Sequence, residues 1–134
     1  MIGRLQIVLD ASALLAALHD EPGGNDVASQ LEAAAISSVN LSEVLQVSLA
    51  RGVEVDGLKE DLAAVGLAVF PFTAEDAEAA AKLSPATHRL GLSLGDRACL
   101  ALGQRLSLPV ITADRAWSQL TTGIPIHVIR SRVQ

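Results

Sequence analysis

The sequence predicts an α/β protein built on an open sheet, and three observations support that prediction. Short apolar runs alternate with stretches of helical periodicity, which is the pattern of repeated strand–helix units. Acidic residues fall where the apolar runs end or where the helices begin, and functional groups of open α/β sheets gather at such positions. The length of 134 residues fits one domain, so we expect a single domain over residues 1–134.

Five apolar runs are predicted as strands. The first is almost continuously apolar, as expected of a strand that is covered on both faces. The second is short, and the remaining three each lie close to a glycine or a proline that marks a turn. The predicted strands are Leu5–Leu9, Ala35–Ser38, Leu67–Phe72, Pro109–Thr112 and Ile124–Ile129.

Amphipathic helices are predicted between these strands. Pro22-Gly23-Gly24 breaks the first helix, Gly52 and Gly66 end two others, and a loop punctuated by Pro85 and Gly91 separates the last long pair. The predicted helices are Ser12–Leu18, Asp26–Ala34, Val39–Arg51, Val55–Val65, Thr73–Leu83, Gly95–Leu106 and Arg115–Leu120.

The composition excludes several classes of protein. No apolar stretch approaches the 18 or more residues of a membrane span, and Ala11–Leu18 lacks the basic flank and cleavage pattern of a signal peptide. We therefore expect a soluble cytoplasmic protein with no membrane association. The single cysteine, Cys99, excludes an internal disulfide and a thiolate zinc cage, and its apolar helical setting predicts a small buried side chain.

The net charge of −5 is unlike that of a protein that binds nucleic acid through a basic surface. Without the four acids discussed next, eleven acidic residues would face ten basic ones, which leaves −1. Two Phe, one Trp and no Tyr also make an aromatic platform for stacking bases an unattractive interpretation. Any contact with RNA or DNA is therefore expected to be local and assisted by a metal ion.

Four carboxylates occupy the positions that matter most in such a fold. Asp10 closes the first strand, Glu43 and Asp96 lie just inside the predicted starts of helices, and Asp114 follows the fourth strand. If all four converge on one cleft, each close pair repels by roughly 4 kcal/mol at an effective dielectric constant near 20. A divalent cation such as Mg²⁺ or Mn²⁺, which prefers oxygen ligands, is the simplest remedy.

Helix capping is the alternative explanation for three of these acids. The segments Asn40–Glu43, Thr73–Asp76 and Ser93–Asp96 match the capping box, in which a polar side chain and an acid three residues later bond each other's backbone N–H groups. Asp114 could likewise cap the short helix that follows it. Asp10 has no such explanation at this stage, because an unpaired charge at the end of an apolar strand gains nothing from burial.

Four further residues accompany the acids. Ser12 and Thr112 lie two positions from Asp10 and Asp114, where their hydroxyl groups can bond an acid or a metal-bound water. Arg97 and Arg115 each follow a candidate acid and could contact substrate phosphates. For both arginines a solvated surface charge is an equally open interpretation.

The segment Gly91–Gly95 spells the G-x-S-x-G pattern of the α/β-hydrolase nucleophile. That motif requires a strand before the serine, but the residues preceding Ser93 make a poor strand. An N-cap role for Ser93 explains the segment better.

At four places the sequence resembles the PIN domain, and most of all its VapC branch, the ribonuclease half of type II toxin–antitoxin pairs. The segments are Val8–Leu14, Val39–Val44, Leu92–Ala98 and Ile111–Asp114. The resemblance implies a three-layer α/β/α sandwich around a mainly parallel five-stranded sheet. It also implies Mg²⁺- or Mn²⁺-dependent endonucleolytic cleavage of RNA, which leaves a 5′-phosphate and a 3′-hydroxyl.

The resemblance extends to individual residues and to partners. Asp10, Glu43, Asp96 and Asp114 match the acidic quartet that binds metal, and Ser12 and Thr112 match the small polar residues beside it. The implied partners are a cognate VapB-type antitoxin, which occupies the cleft, and a second copy of the chain in a homodimer.

Three other functions stay open from the sequence. One is a phosphotransfer domain with an Asp nucleophile, although the only lysines, Lys59 and Lys82, lie in predicted helices rather than after a strand. The second is a non-catalytic module that binds a peptide or RNA. The third is an RNA-processing PIN nuclease that is not a toxin.

Overall fold

The computed structural model describes residues 4–129, apart from the side chain of residue 86, and its centre is a five-stranded sheet. The termini of the predicted 1–134 domain, residues 1–3 and 130–134, lie outside the described residues. The strands are β1 (Ile7–Leu9), β2 (Ala34–Ser37), β3 (Ala68–Phe70), β4 (Val110–Thr112) and β5 (Ile126–Val128). The α-helices are α1 (Ala11–Leu18), α2 (Gly24–Ala28), α3 (Ser38–Ala50), α4 (Leu58–Ala64), α5 (Ala74–Lys82), α6 (Ser84–Thr87) and α7 (Leu94–Leu106). Short 3₁₀ helices cover Leu31–Ala33, His88–Leu90 and Arg115–Gln119.

All five strands are parallel, in the order β3-β2-β1-β4-β5. The chain builds outward from β1 to β3 on one side and then adds β4 and β5 on the other. Val8 of β1 therefore pairs with Ala35 on one side and with Val110 on the other. The strand order reverses between β1 and β4, and ligands of open α/β sheets bind at the carboxyl ends of the strands beside such a reversal.

Two hydrophobic cores cover the two faces of the sheet, because successive side chains of a strand point to opposite faces. Ile7 and Leu9 of β1 pack with α1, α2, α3 and α4, whereas Val8 packs with α5, α7 and Trp117. Each core is a helical layer against one sheet face. The predicted three-layer α/β/α sandwich is confirmed.

Several predicted boundaries are wrong. The predicted helix Asp26–Ala34 is broken into α2 and the Leu31–Ala33 turn, and residue 34 already belongs to β2. The Ser29 hydroxyl and the Gln30 amide both donate to the Asp26 carbonyl, and such local bonds compete with a continuing helix.

The helix predicted over Val55–Val65 begins only at Leu58, because Gly57 has a φ of +86° and its left-handed backbone cannot belong to the helix. The segment around Pro85, predicted as a loop, contains α6 and the His88–Leu90 turn. Pro85 lies in the first turn of α6, where no backbone N–H is needed. Four of the strands are shorter than predicted, with Ile7–Leu9 in place of Leu5–Leu9, and β2 begins and ends one residue earlier than predicted.

Two of the three predicted capping boxes are present. Thr73 and Asp76 bond each other's backbone N–H groups at the start of α5, and Ser93 and Asp96 do the same at the start of α7. The box predicted at Asn40 is wrong, because Ser37 caps α3 and places residue 40 inside the helix.

None of the helices within residues 4–129 combines the length and the apolar character that crossing a membrane requires.

Candidate functional site

Asp10 lies directly after the carboxyl end of β1, and the residue is 4% exposed. Its Oδ1 atom accepts a bond from the Ala13 backbone N–H at 2.8 Å, so Asp10 is the N-cap of α1. The side chain that the sequence explained least well as a cap is therefore a cap. That single bond does not explain why the whole carboxylate is buried.

The hydroxyl groups of Ser12 and Thr112 both donate to this carboxylate, as the sequence predicted. Ser12 Oγ donates to Asp10 Oδ1 at 2.8 Å, and Thr112 Oγ1 donates to Oδ2 from the end of the neighbouring strand β4. Each hydroxyl also accepts a backbone N–H, Ser12 from Ala113 at 2.9 Å and Thr112 from Asp114 at 3.0 Å. The ends of β1 and β4 are thereby joined through one buried acid.

Burial raises the pKa of Asp10 from its ordinary value of 3.8 to about 6. The bonds from Thr112, Ala13 and Ser12 lower this pKa, since they favour the ionised form, and the negative charge of Asp96 raises it. Desolvation is the strongest of these influences. The site therefore holds a negative charge that its surroundings do not fully compensate.

Glu43 lies in the second turn of α3 with its side chain half-buried. Its Oε1 atom accepts a bond from Asn40 Nδ2 at 3.0 Å, one turn earlier on the same helix. A Cβ atom on Gly95 would lie 2.6 Å from Glu43 Cδ and 2.7 Å from Oε1. The Glu43 carboxylate therefore rests directly against the first turn of α7.

Asp96 lies beside Gly95 in that same turn and is half-buried. Its Oδ2 atom accepts the Ser93 backbone N–H at 3.0 Å, so Asp96 completes the capping box of α7. Its charge also acts on Asp10. A capping role and a place in the acidic site thus coincide in one side chain.

The thiol of Cys99 is affected by the charges of three of the acids. It is fully buried on α7, as the sequence predicted, one turn after Asp96. Burial raises the pKa of its thiol, and the charges of Asp10, Asp96 and Glu43 raise it further. The charges of three carboxylates, one after β1 and the others on α3 and α7, thus all act on this one buried thiol.

Asp114 is less closely integrated. It follows β4 and is exposed, and its Oδ1 atom accepts the Ala116 N–H at 2.9 Å to cap the Arg115–Gln119 turn. Its backbone N–H donates to Thr112, the residue that also bonds Asp10. Asp114 thus lies at the same edge of the sheet, with its carboxylate directed in part to a local cap.

The two arginines differ in their surroundings. Arg97 is half-buried, and its Nη1 atom donates to the Ala80 carbonyl of α5 at 3.1 Å, which gives it a structural role. Arg115 is exposed at the start of its 3₁₀ helix. Contact of either side chain with substrate phosphate stays a prediction.

The donor set fits a hard divalent cation that retains part of its water shell. Within residues 4–129, no three Asp, Glu, His or Cys side chains are already placed to hold one ion together. Mg²⁺ commonly uses one or two carboxylates together with waters and substrate phosphates. Carboxylate oxygens are the ligands that it prefers, and a cation bound beside Asp10 would offset the cost of burying its ionised carboxylate.

Sequence reasoning missed two residues of the site, Asn40 and Gly95. Asn40 was interpreted as a helix cap, but it is buried inside α3 and bonds both Glu43 and the Gly95 carbonyl. The sequence signal was Gly95 itself, because a glycine within a helix lowers helix stability by about 1 kcal/mol relative to alanine. A glycine at such a position indicates that a side chain would collide with a neighbouring group.

Comparison with protein-family models finds one match, described as the PIN domain, over residues 7–122. The match includes every candidate acid. A comparison with curated protein sequences finds no match.

Solved structures match over almost the whole chain at low sequence identity. A toxin–antitoxin complex from Klebsiella pneumoniae gives a TM-score of 0.69 at 20% identity and covers 95% of this chain and 100% of that one. VapBC2 from Rickettsia felis, bound to a DNA fragment from its promoter, gives 0.71 at 17% identity, with 94% and 100% covered. The toxin VapC20 from Mycobacterium tuberculosis, which cleaves the sarcin–ricin loop, gives 0.67 at 18% identity, with 90% and 100% covered. At these identities the likeness establishes a shared fold.

Proposed function

This chain belongs to the PIN domain family, and from that premise we propose that it is a metal-dependent endoribonuclease that serves as the toxin of a type II toxin–antitoxin pair. The observation that supports the proposal most is the buried Asp10 carboxylate at the reversal between β1 and β4, where the negative charge of Asp96 acts on it. Such a cluster is electrostatically unfavourable unless it binds positive charge.

In this proposal Asp10, Glu43 and Asp96 would hold Mg²⁺ or Mn²⁺ directly or through water, and Asp114, after the end of β4, would complete the cluster or bind a second ion. A cation held there would supply a water of lowered pKa and would neutralise charge on the phosphate under attack. Ser12 and Thr112 orient the Asp10 carboxylate by donating to its two oxygens. The Asn40 bond holds Glu43 against α7.

The toxin assignment and its partners rest on the solved structures with this fold. Two of those cited are complexes of a toxin with its antitoxin, and a third is a ribonuclease toxin. We propose a VapB-type antitoxin and a second copy of this chain as partners, and RNA as the substrate. The net charge of −5 favours recognition through the metal site over binding through a basic surface.

The test is RNA cleavage by the purified chain, freed of any copurified antitoxin, with Mg²⁺ and with EDTA. We expect cleavage with the metal only, and a loss of at least about 100-fold in Asp10→Asn, because that substitution removes the buried charge. Asp56→Asn is the matched control, since Asp56 is an exposed acid in a loop. Cleavage by Asp10→Asn at the wild-type rate would overturn the assignment of the site.

The toxin role has its own test. Expression of the wild-type chain in its host should arrest growth, whereas expression of Asp10→Asn should not. Coexpression of a small DNA-binding protein encoded immediately upstream should restore growth. An active nuclease whose expression leaves growth unchanged would indicate an RNA-processing enzyme in place of a toxin.

A further inference from the structure

We infer that Asn40 is a positioning residue, whose two side-chain N–H groups set the Glu43 carboxylate in space that Gly95 leaves free. The inference rests on the proposed function, because it assigns a task to the surroundings of one proposed metal ligand. Asn40 itself is not one of the acidic or hydroxyl residues that the sequence predicted for the site.

The contacts of Asn40 join two helices and one acid. Nδ2 donates to Glu43 Oε1 at 3.0 Å and to the Gly95 carbonyl oxygen at 2.9 Å. Glu43 lies one turn later on α3, whereas Gly95 is 55 residues away in the first turn of α7. The same amide thus fixes a carboxylate and the start of the helix that holds Asp96.

The chemistry of these partners requires an amide at position 40. Both partners are acceptors, and a side-chain amide nitrogen has two hydrogens to donate. A serine or threonine hydroxyl has only one, and an aspartate has none when ionised. The two acceptors also settle the orientation of the amide, because the opposite orientation would place its oxygen against two other oxygens.

Stability alone does not account for this asparagine. Asn40 is 1% exposed, and its Oδ1 atom has no hydrogen-bond partner among residues 4–129. A buried carbonyl without a partner is unfavourable, and asparagine is also a weaker helix former than alanine or leucine. The nitrogen side of the amide, which holds Glu43, is the side that makes bonds.

Gly95 supplies the space that this arrangement needs. A Cβ on Gly95 would meet Glu43 Cδ at 2.6 Å and Oε1 at 2.7 Å, and would lie closer still to Oε2. The end of a glutamate side chain is flexible, so an alanine at position 95 can be accommodated if the carboxylate moves away. Such a substitution should preserve the fold while displacing the group that Asn40 holds.

Preorganisation explains why the position of Glu43 matters. A glutamate side chain has several rotatable bonds, and holding it in one place before the metal arrives lowers the entropic cost of binding. Removal of a residue that orients a ligand typically costs 10- to 100-fold in metal affinity or activity. We expect losses in that range when either Asn40 or Gly95 is changed.

The experiment measures Mn²⁺ affinity by calorimetry in the full chain, without RNA, for Asn40→Ala, Asn40→Leu, Gly95→Ala and Glu43→Ala. Asn25→Ala is the matched control, because Asn25 is the other asparagine of the chain and is exposed on α2. Thermal unfolding without metal establishes that each variant is folded. Asn40→Leu keeps the approximate size of the side chain and removes its donors without adding a charge or a metal ligand, so it also serves if Asn40→Ala does not fold.

We expect Kd for Mn²⁺ to rise roughly 10- to 100-fold in both Asn40 variants and in Gly95→Ala, and to change less than about twofold in Asn25→Ala. The double variant Asn40→Ala/Gly95→Ala should lose less than the product of the two single losses, because both act on the same carboxylate. In RNA cleavage, excess Mn²⁺ should restore most of kcat to Asn40→Ala but not to Glu43→Ala.

Several results would overturn the inference. If Asn40→Leu bound Mn²⁺ as tightly as the wild type, while Glu43→Ala bound it weakly, Asn40 would only fill space. If the losses of the two single variants multiplied, they would not act through one carboxylate. If Glu43→Ala bound Mn²⁺ normally, the proposed role of Glu43 would fail together with the inference. If the wild type neither bound Mn²⁺ nor cut RNA, the proposed function itself would be wrong.

Discussion

The ionisation of Asp10 is subject to two opposing effects, because hydrogen bonds favour the charged carboxylate and burial disfavours it. Its carboxylate accepts three hydrogen bonds, each of which favours the ionised form, and yet its pKa is raised to about 6. The cost of removing the charge from water therefore exceeds the gain from those bonds, and the nearby Asp96 adds to that cost. A carboxylate in this state is ready to accept a cation.

The stability of the metal-free chain should therefore depend on the ionisation of Asp10. Because the folded pKa lies above the ordinary value of 3.8, the protonated group stabilises the fold. That contribution is fully present below about pH 4 and is lost as the pH rises through about 6. The interval between the two values corresponds to about 3 kcal/mol in the free energy of unfolding.

Asp10→Asn isolates this contribution, because an amide of nearly the same shape cannot ionise. In urea unfolding with EDTA, we expect the variant to gain about 3 kcal/mol relative to the wild type between pH 4 and pH 8. The same substitution should abolish cleavage. Two curves of unfolding free energy that ran parallel over this pH range would show that Asp10 titrates normally.

Site residues could be predicted from the sequence where the neighbouring residues along the chain mark their position. Asp10, Ser12 and Thr112 follow from strand ends, and their mutual bonds agree with that prediction. Asn40 and Gly95 could not be found in this way, since they are 55 residues apart and meet only through the packing of α3 on α7.

At the scale of elements, helix caps and the candidate site use the same side chains. Asp10 caps α1, Asp96 completes the capping box of α7, and Asp114 caps a 3₁₀ turn. Glu43 is the one acid of the four that caps no helix in the described structure. The sequence pattern had predicted it as part of a capping box. Helix capping and a place in the candidate site therefore do not exclude each other.

The chain offers a matched pair of caps that separates stability from activity. Ser93 and Thr73 open α7 and α5 with the same capping box, but only the Ser93 box contains a candidate acid. We expect Ser93→Ala and Thr73→Ala each to lower the free energy of unfolding by about 1 kcal/mol. Only Ser93→Ala should also slow RNA cleavage, by several-fold, because Asp96 then loses part of its support.

Chemical denaturation and RNA cleavage, measured on the same preparations, check this prediction. Equal rates of cleavage in the two variants would mean that the cap does not position Asp96.

The boundaries of the elements were less predictable than these caps. Local bonds at Asp26 and the left-handed Gly57 each shortened a predicted helix, and neither effect follows from hydrophobic periodicity.

At the scale of the whole molecule, the parallel sheet creates the site. Asp10 and Thr112 are 102 residues apart and bond each other because the carboxyl ends of β1 and β4 meet at one edge. That convergence could be predicted from the fold class, since the alternation of strands and helices implies a parallel sheet. The direction in which each carboxylate points could not be predicted from the fold class. Asp114 is the example, because its carboxylate accepts a bond from the Ala116 N–H in its own turn.

The overall charge fits the same account. The chain carries −5, and the four candidate acids contribute most of that excess. Repulsion of RNA phosphates by such a molecule is relieved only where a cation binds. The central claim of the proposed function is therefore that a divalent cation, held by the acids after β1 and on α3 and α7, makes this chain a ribonuclease.

The measurement that tests this claim most directly is a single Mn²⁺ titration of the wild type and Asp10→Asn, with metal binding and RNA cleavage recorded on the same samples. We predict that binding and cleavage in the wild type reach half-saturation at the same Mn²⁺ concentration, and that Asp10→Asn loses both. Cleavage that persisted in EDTA, or that was complete before any Mn²⁺ had bound, would contradict the claim.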